Sequence, residues 1–304
     1  MSVTAKNPDW IAVDWGTTHL RVWLMSAEGV ALDHRSSDNG MGGLARDGFQ
    51  PVLQAMLSDV LGTKPLPVII CGMAGSRQGW AEAPYATAPC PPPGIVQATR
   101  FASDGMDVHI LPGVKQTSPA DVMRGEETQI AGFLTREPGF DGILCLPGSH
   151  TKWVQISAGE IVSFRTYMTG EMFALLGQQS VLRHSVDTSD WDQAAFDAGL
   201  PDTLSRPADL AAKLFSIRAE TLLQNLPAPA ARARLSALLI GAELASAKPY
   251  WLGQEVVVIG ATQLAKAYQG ALAQQGVAAR SANVGDLTLD GLTAAYQQMT
   301  EGTQ

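Results

Sequence analysis

Apolar residues along this chain come in short runs whose period changes from two to nearly four. Trp10-Ile11-Ala12-Val13-Asp14-Trp15 and Leu20-Arg21-Val22-Trp23-Leu24-Met25 are rich in β-branched and aromatic residues and flank Gly16-Thr17-Thr18-His19. They predict two strands joined by a tight polar turn. A third strand near 30–34, after Ala27-Glu28-Gly29, makes an antiparallel meander. The spacing over 46–61 predicts a helix, and Val68-Ile69-Ile70-Cys71 a short buried strand ending in Gly72. The proline-dense segment 84–94 reads as loop, 108–111 as strand, and 121–134 as a helix opened by Asp121. Segments 172–182, 210–223, 231–247, 264–274 and 292–299 show the apolar spacing of amphipathic helices.

Midway, the pattern restarts. Ile143-Leu144-Cys145-Leu146-Pro147-Gly148-Ser149-His150-Thr151-Lys152-Trp153-Val154 is again strand, glycine–hydroxyl turn, strand. At one constant offset Gly16-Thr17 falls on Gly148-Ser149, Val22 on Val154, Leu24 on Ile156 and Glu28 on Glu160. Later, Val256-Val257-Val258-Ile259-Gly260 echoes Val68-Ile69-Ile70-Cys71-Gly72. Two echoes in the same order imply an α/β unit that has been duplicated, with domains expected at 1–138 and 139–304.

Composition narrows the function classes. The 304 residues are 46% hydrophobic, enough for a sizeable core. With 21 basic against 29 acidic residues the net charge is −8, so counterion release gives no drive toward nucleic acid. Cys71, Cys90 and Cys145 are few, odd in number and far apart, which argues against a disulfide scaffold or a zinc site. No apolar run reaches the ~18 residues of a membrane span, and no signal-like start is present. A cytoplasmic protein without a membrane partner is expected; whether it forms a homo-oligomer is left open.

The chemistry concentrates in a few segments. In Asp14-Trp15-Gly16-Thr17-Thr18 a glycine admits phosphate to the backbone, hydroxyls and turn amides can donate, and the strand-end carboxylate can hold Mg²⁺. That carboxylate is expected to have no structural partner. The second loop, Gly148-Ser149-His150-Thr151-Lys152, adds another glycine–hydroxyl turn and a cation. Two such loops suit phosphoryl transfer, which needs donors around the phosphate and a metal to offset charge. No GxxxxGK[ST] is present, Gly40-Met41-Gly42-Gly43-Leu44-Ala45 lacks the preceding buried strand of a dinucleotide site, and Ser149 lacks a GxSxG elbow. Glu126 and Glu127 near the start of a helix are the candidates for accepting a hydroxyl proton, unless they only complement the helix dipole. Arg77, in a glycine-rich loop after a strand, is a candidate for gripping a substrate carboxylate.

These motifs resemble the phosphate and adenosine segments of the superfamily joining actin, heat-shock chaperones and sugar kinases. More narrowly, Val13–Thr18, Cys71–Trp80, Arg124–Gln129, Leu146–Val154 and Tyr167–Phe173 resemble the 2-dehydro-3-deoxygalactonokinase family. The resemblance implies two duplicated ribonuclease-H-like domains with the active site in the interdomain cleft. It implies ATP-dependent phosphorylation of the 6-hydroxyl of 2-dehydro-3-deoxy-D-galactonate, in galactonate catabolism. By position, Asp14 would serve Mg²⁺; Gly16, Thr17, Thr18, Gly148, Ser149, Thr151 and Lys152 would contact phosphates; Gly260 would back the adenosine; Arg77 and Arg124 would bind the sugar acid; and Glu127, or else Glu126, would be the base, with Asp14 completing the catalytic set. Alternatives are a phosphohydrolase of the same fold, similar to exopolyphosphatases, and a chaperone-like or actin-like binding protein.

Overall fold

The first two apolar runs form the hairpin β1 (Trp10–Trp15) and β2 (Leu20–Met25), which β3 (Ala31–Ser37) extends into the expected meander. This is a computed structural model, and it describes residues 7–302. Next come α1 (Phe49–Leu57), β4 (Leu66–Gly72), β5 (Tyr85–Thr87), β6 (Thr99–Ser103), β7 (Met106–Ile110), β8 (Gly113–Thr117), β9 (Ala120–Met123) and α2 (Glu126–Arg136). The main sheet has the order β3-β2-β1-β4-β7-β6, and β5-β8-β9 form a small second sheet.

Strand β1 is apolar but for Asp14 because both its faces are covered. Ile11, Val13 and Trp15 pack with Phe49, Leu53 and Leu57 of α1, whereas Trp10 and Ala12 belong to a cluster on the opposite face.

The second half repeats the plan. It runs β10 (Gly142–Leu146), β11 (Thr151–Ser157), β12 (Glu160–Tyr167), α3 (Thr169–Gln179), α4 (Gln193–Ser205), α5 (Leu210–Gln224), α6 (Ala228–Ser246), α7 (Lys248–Trp251), β13 (Val256–Gly260), α8 (Thr262–Ala273) and β14 (Arg280–Asn283). The sheet order β12-β11-β10-β13-β14 matches β3-β2-β1-β4-β7, with antiparallel pairing up to the central strand and parallel pairing beyond it. Helix α6 is apolar nearly all round because it is buried between two clusters. Ala231, Leu235 and Leu238 face one, and Ala233, Ala237, Ile240 and Leu244 face the other.

The chain ends in α9 (Val284–Glu301), which returns to the first half: it packs on α2, and Tyr296 stacks on Trp10 with ring centroids 4.5 Å apart. Two compact units result. One holds the chain up to Phe140 together with Ser157–Ser163 and the chain from Val284 on, and the other holds Asp141–Ile156 and Phe164–Asn283.

Three local expectations need correction. The helix expected from Asp121 begins only at Glu126. Residues 120–123 pair with β8 instead, and Gly125 at φ 107°, a left-handed conformation, separates strand from helix. The proline-dense loop contains β5, paired parallel to β8. Helix α4 was not expected, because Pro201 lies inside it and interrupts a weak apolar pattern. All three cysteines are unpaired thiols, as expected.

Candidate active site

In the first unit the chemistry gathers where β1 and β4 end. Asp14 lies opposite Arg21 on β2 and Cys71 on β4, and is 8% exposed. Its carboxylate accepts from the Arg21 guanidinium and, at 3.8 Å, from the Cys71 thiol. The strand-end carboxylate therefore has a structural partner, contrary to the sequence expectation. Burial raises the Asp14 carboxyl above the ordinary aspartate range even against the pull of Arg21. The Cys71 thiol is pushed up well above its usual range, first by burial and then by the Asp14 and Glu127 charges.

Beyond Asp14, the Gly16–His19 turn is exposed at Thr17, Thr18 and His19. The amides of Gly40, Met41 and Gly42 donate to the carbonyls of Thr18, Gly16 and Thr17 at 3.2, 3.0 and 2.9 Å. This is the work of the glycine motif that fitted no nucleotide fold. It holds the three successive carbonyls of Gly16, Thr17 and Thr18 from one side of the turn. A Cβ on Gly40 would collide with the Thr17–Thr18 peptide.

The start of α2 stands beside these groups, with Gly125 packed against Gly72 at the end of β4. Glu127 is 1% exposed, and both its carboxylate oxygens accept from the Gly125 amide at 2.8 Å. Burial pushes its carboxyl up to about 7, and the neighbouring Glu126 charge adds to the rise. Glu126 is half-buried; it accepts from the Arg124 amide at 3.1 Å and is close enough to raise Asp14. Adjacent helical positions thus place one glutamate inward and one toward solvent, as the ~100° step between them requires.

The two candidate arginines differ in kind. Arg124 is 9% exposed, lies over the Tyr85 ring at 4.2 Å, and donates through Nη2 to the Ala83 carbonyl at 2.8 Å. Its buried Nη1 finds no hydrogen-bond partner. Arg77 is exposed, and Arg46 holds the backbone of its loop by donating to the carbonyls of Arg77 at 2.6 Å and Gly79 at 3.1 Å.

In the second unit, Gly148, Ser149 and His150 form the turn between β10 and β11. The beginning of α3 supports it from behind. Glu171 donates its amide to the Ser149 carbonyl at 2.9 Å, His150 and Glu171 side chains meet at 2.6 Å, and Gly170 lies so close to the Gly148 carbonyl that a Cβ would clash. A Cβ on Gly148 itself would meet nothing within 4 Å, so that side of the loop is open. Gly260, at the end of β13, lies against Pro147. Lys152 is 4% exposed on β11, opposite Leu146. Thr151 turns inward: it is 1% exposed, and its hydroxyl bonds Tyr268 at 3.0 Å.

Beneath this loop lies a carboxylate that sequence reading missed. Glu243 of α6 is 3% exposed and accepts from Trp153 Nε1 and the Tyr268 hydroxyl, each at 2.8 Å, and from the Thr169 hydroxyl. Burial pushes it up to about 7, against the lowering effect of these donors. The one available signal was an acid in an otherwise apolar helical run.

Among the described residues no group of three or more His, Cys, Asp or Glu side chains could form an all-protein metal site. Asp14 with Glu126 nearby is instead the sparse, hard-oxygen set that suits Mg²⁺ shared with phosphate oxygens and water.

Comparison with known proteins shows the family. The model of the 2-keto-3-deoxy-galactonokinase family matches residues 14–295. The chain belongs to that family. "Probable 2-dehydro-3-deoxygalactonokinase DgoK1" of Rhizobium meliloti (strain 1021) is 39% identical over 94% of this chain and 96% of its own. The 2-dehydro-3-deoxygalactonokinase of Escherichia coli (strain K12) is 37% identical, over 88% and 90%. A crystal structure of a candidate 2-dehydro-3-deoxygalactonokinase from Sinorhizobium meliloti superposes with a TM-score of 0.89 at 37% identity, covering 95% of this chain and 99% of that one. At 12% identity, the Clostridium difficile activator of 2-hydroxyisocaproyl-CoA dehydratase shares the fold alone, with a TM-score of 0.52 over 97% and 96% of the chains. The fold is the duplicated ribonuclease-H-like one. No helix among the described residues is long and apolar enough to cross a membrane.

Proposed function

We propose that this member of the family transfers the γ-phosphoryl group of ATP to the 6-hydroxyl of 2-dehydro-3-deoxy-D-galactonate. The observation that carries the reading is Glu127, a buried carboxyl pushed up to about 7 at the start of α2, which shares Cys71 as a neighbour with the strand-end Asp14. A base with a pKa near the working pH combines the right protonation state with driving force for proton transfer. Glu127 accepts the hydroxyl proton as that oxygen bonds to the γ-phosphorus; the bond from phosphorus to the ADP oxygen breaks, and ADP leaves with the electron pair. The Thr17 and Thr18 turn and the Gly148–Ser149 turn hold phosphate oxygens, with Lys152 supplying positive charge, Thr151 fixing the second turn from inside and Gly260 backing the adenosine. Asp14 would hold Mg²⁺ together with those phosphates, and the ion would offset negative charge on them. Arg77 and Arg124 bind the sugar-acid carboxylate. In this reading the first unit, which Ser157–Ser163 and α9 join, forms the substrate side and the second the nucleotide side, in place of a plain division at 138/139, and the enzyme works in the cytoplasm.

The test is ADP release over a panel of 2-oxo-3-deoxy sugar acids. Turnover with the galactonate derivative, and little without any sugar acid, is the expected result. ADP release at the same rate without an acceptor would make water the acceptor and overturn the kinase reading.

A further inference from the structure

We propose that Glu243 is a positioning residue for the Gly148–Thr151 loop, fixing both the loop's end and its support, and thereby setting the grip on nucleotide phosphates. The proposal rests on the reading of that loop as a phosphate site.

Glu243 is buried on α6 beneath the loop with both carboxylate oxygens taken by neighbouring donors, so it acts through other groups. Its carboxylate joins three elements. On β11 it accepts from Trp153 Nε1 at 2.8 Å. On α8 it accepts from the Tyr268 hydroxyl at 2.8 Å, and that hydroxyl is 3.0 Å from Thr151 Oγ1 at the end of the loop. At the first residue of α3 it accepts from Thr169, and the next residues, Gly170 and Glu171, form the support under Gly148 and Ser149. One side chain thus fastens the exit of the turn and the surface it rests on.

The choice of residue is informative. An isolated carboxylate in an apolar interior is costly, and a well-packed apolar side chain would fill this place at lower cost. Three converging donors require an acceptor with two oxygens, which Glu supplies and Gln does not. In Glu243→Gln the carboxamide N–H would either face the Trp153 N–H, donor against donor, or make the Tyr268 and Thr169 hydroxyls accept, so that the bonds they now donate are lost. The loop would then lose its fixed relation to α3 and α8, while Asp14, Glu127 and the arginines, all in the other unit, would keep theirs.

The experiment measures the affinity of a non-hydrolysable ATP analogue by calorimetry, together with KM for ATP and for the sugar acid. Glu243→Gln should weaken nucleotide binding about tenfold, with the sugar-acid KM moving less than about twofold. Thr169→Val and Tyr268→Phe, which each remove one bond at nearly constant volume, should weaken it less, and their effects should vanish in the Glu243→Gln background. If Glu243→Gln does not fold, these two variants carry the test. Unchanged nucleotide affinity in both, or equal weakening toward both substrates, overturns the proposal. Gly148→Val, which fills open space beside the loop, separates the two levels: no loss there overturns the phosphate-site reading and this proposal together, whereas a loss there with none in Glu243→Gln overturns this proposal alone.

Discussion

The two glycine–hydroxyl hairpins descend from one pattern, yet they put their charge in different places. In the first, the residue before Trp15 is Asp14, paired with Arg21 across the hairpin and joined at its edge by Glu126 and Glu127. In the second, the corresponding strand end is Leu146, opposite Lys152, and the buried carboxylate, Glu243, sits below the loop among hydroxyl and indole donors. Both loops are held from behind, the first by three amides of Gly40–Gly42 and the second by the start of α3. The difference teaches that a duplicated scaffold can keep its backbone support while moving its acids. Burial does not separate them, since Glu127 is as enclosed as Glu243; what differs is that both oxygens of Glu243 are taken by Trp153, Tyr268 and Thr169, so it can only hold other residues in place.

The comparison breaks most sharply at the acids of the first unit. Asp14→Asn should lower kcat by ~10²-fold or more in steady-state assays, and because Arg21 is left without its anion it should lower Tm as well. A folded Asp14→Asn enzyme with near-normal kcat would remove Asp14 from the chemistry. Glu127→Gln should cost ~10²–10⁴-fold in kcat with ATP binding retained, and Glu126→Gln much less. Equal losses in the two glutamate variants would mean that both only shape the start of α2.

Support glycines test the shared half of the comparison. Gly40→Ala and Gly170→Ala each place a Cβ against the backbone of the loop they support, so each should reduce ATP affinity roughly tenfold and lower Tm. Gly148→Ala has room for its Cβ and should leave Tm unchanged. A Tm loss in Gly148→Ala matching that of Gly170→Ala would show that the loop's open side is not open.

The smallest effect is on stability against pH. Glu127 and Glu243 are both raised from 4.5 to about 7, so the native protein keeps protons that the unfolded chain releases over that interval. Stability from these groups is fully present below about pH 4.5 and declines as pH rises toward 7. The Tm of the wild type relative to Glu127→Gln, and relative to Glu243→Gln, should therefore fall by a few degrees between those limits. A difference independent of pH would mean that the carboxyls titrate alike in folded and unfolded chains.

Much of this was legible in the chain itself. Runs such as Trp10–Val13 and Val256–Gly260 name their strands because burial on both faces demands consecutive apolar residues, and Leu210–Gln224 shows its helix through period alone. The two hairpins, their glycines and hydroxyls and the acidic pair at 126–127 were visible because a turn at a strand end needs those residue types locally. What tertiary structure decided was every relation between distant residues. Nothing local says that α9 returns to the first unit, that Gly40–Gly42 clasps a turn more than twenty residues earlier, or that Glu243 meets Tyr268 and Thr169. Nor could sequence choose between Glu126 and Glu127 as the buried acid, or see that Arg21 pairs Asp14. Hydrophobic period is a property of neighbours along the chain, whereas burial, and with it the pKa of a carboxyl and the direction a donor points, depends on what the fold brings from elsewhere.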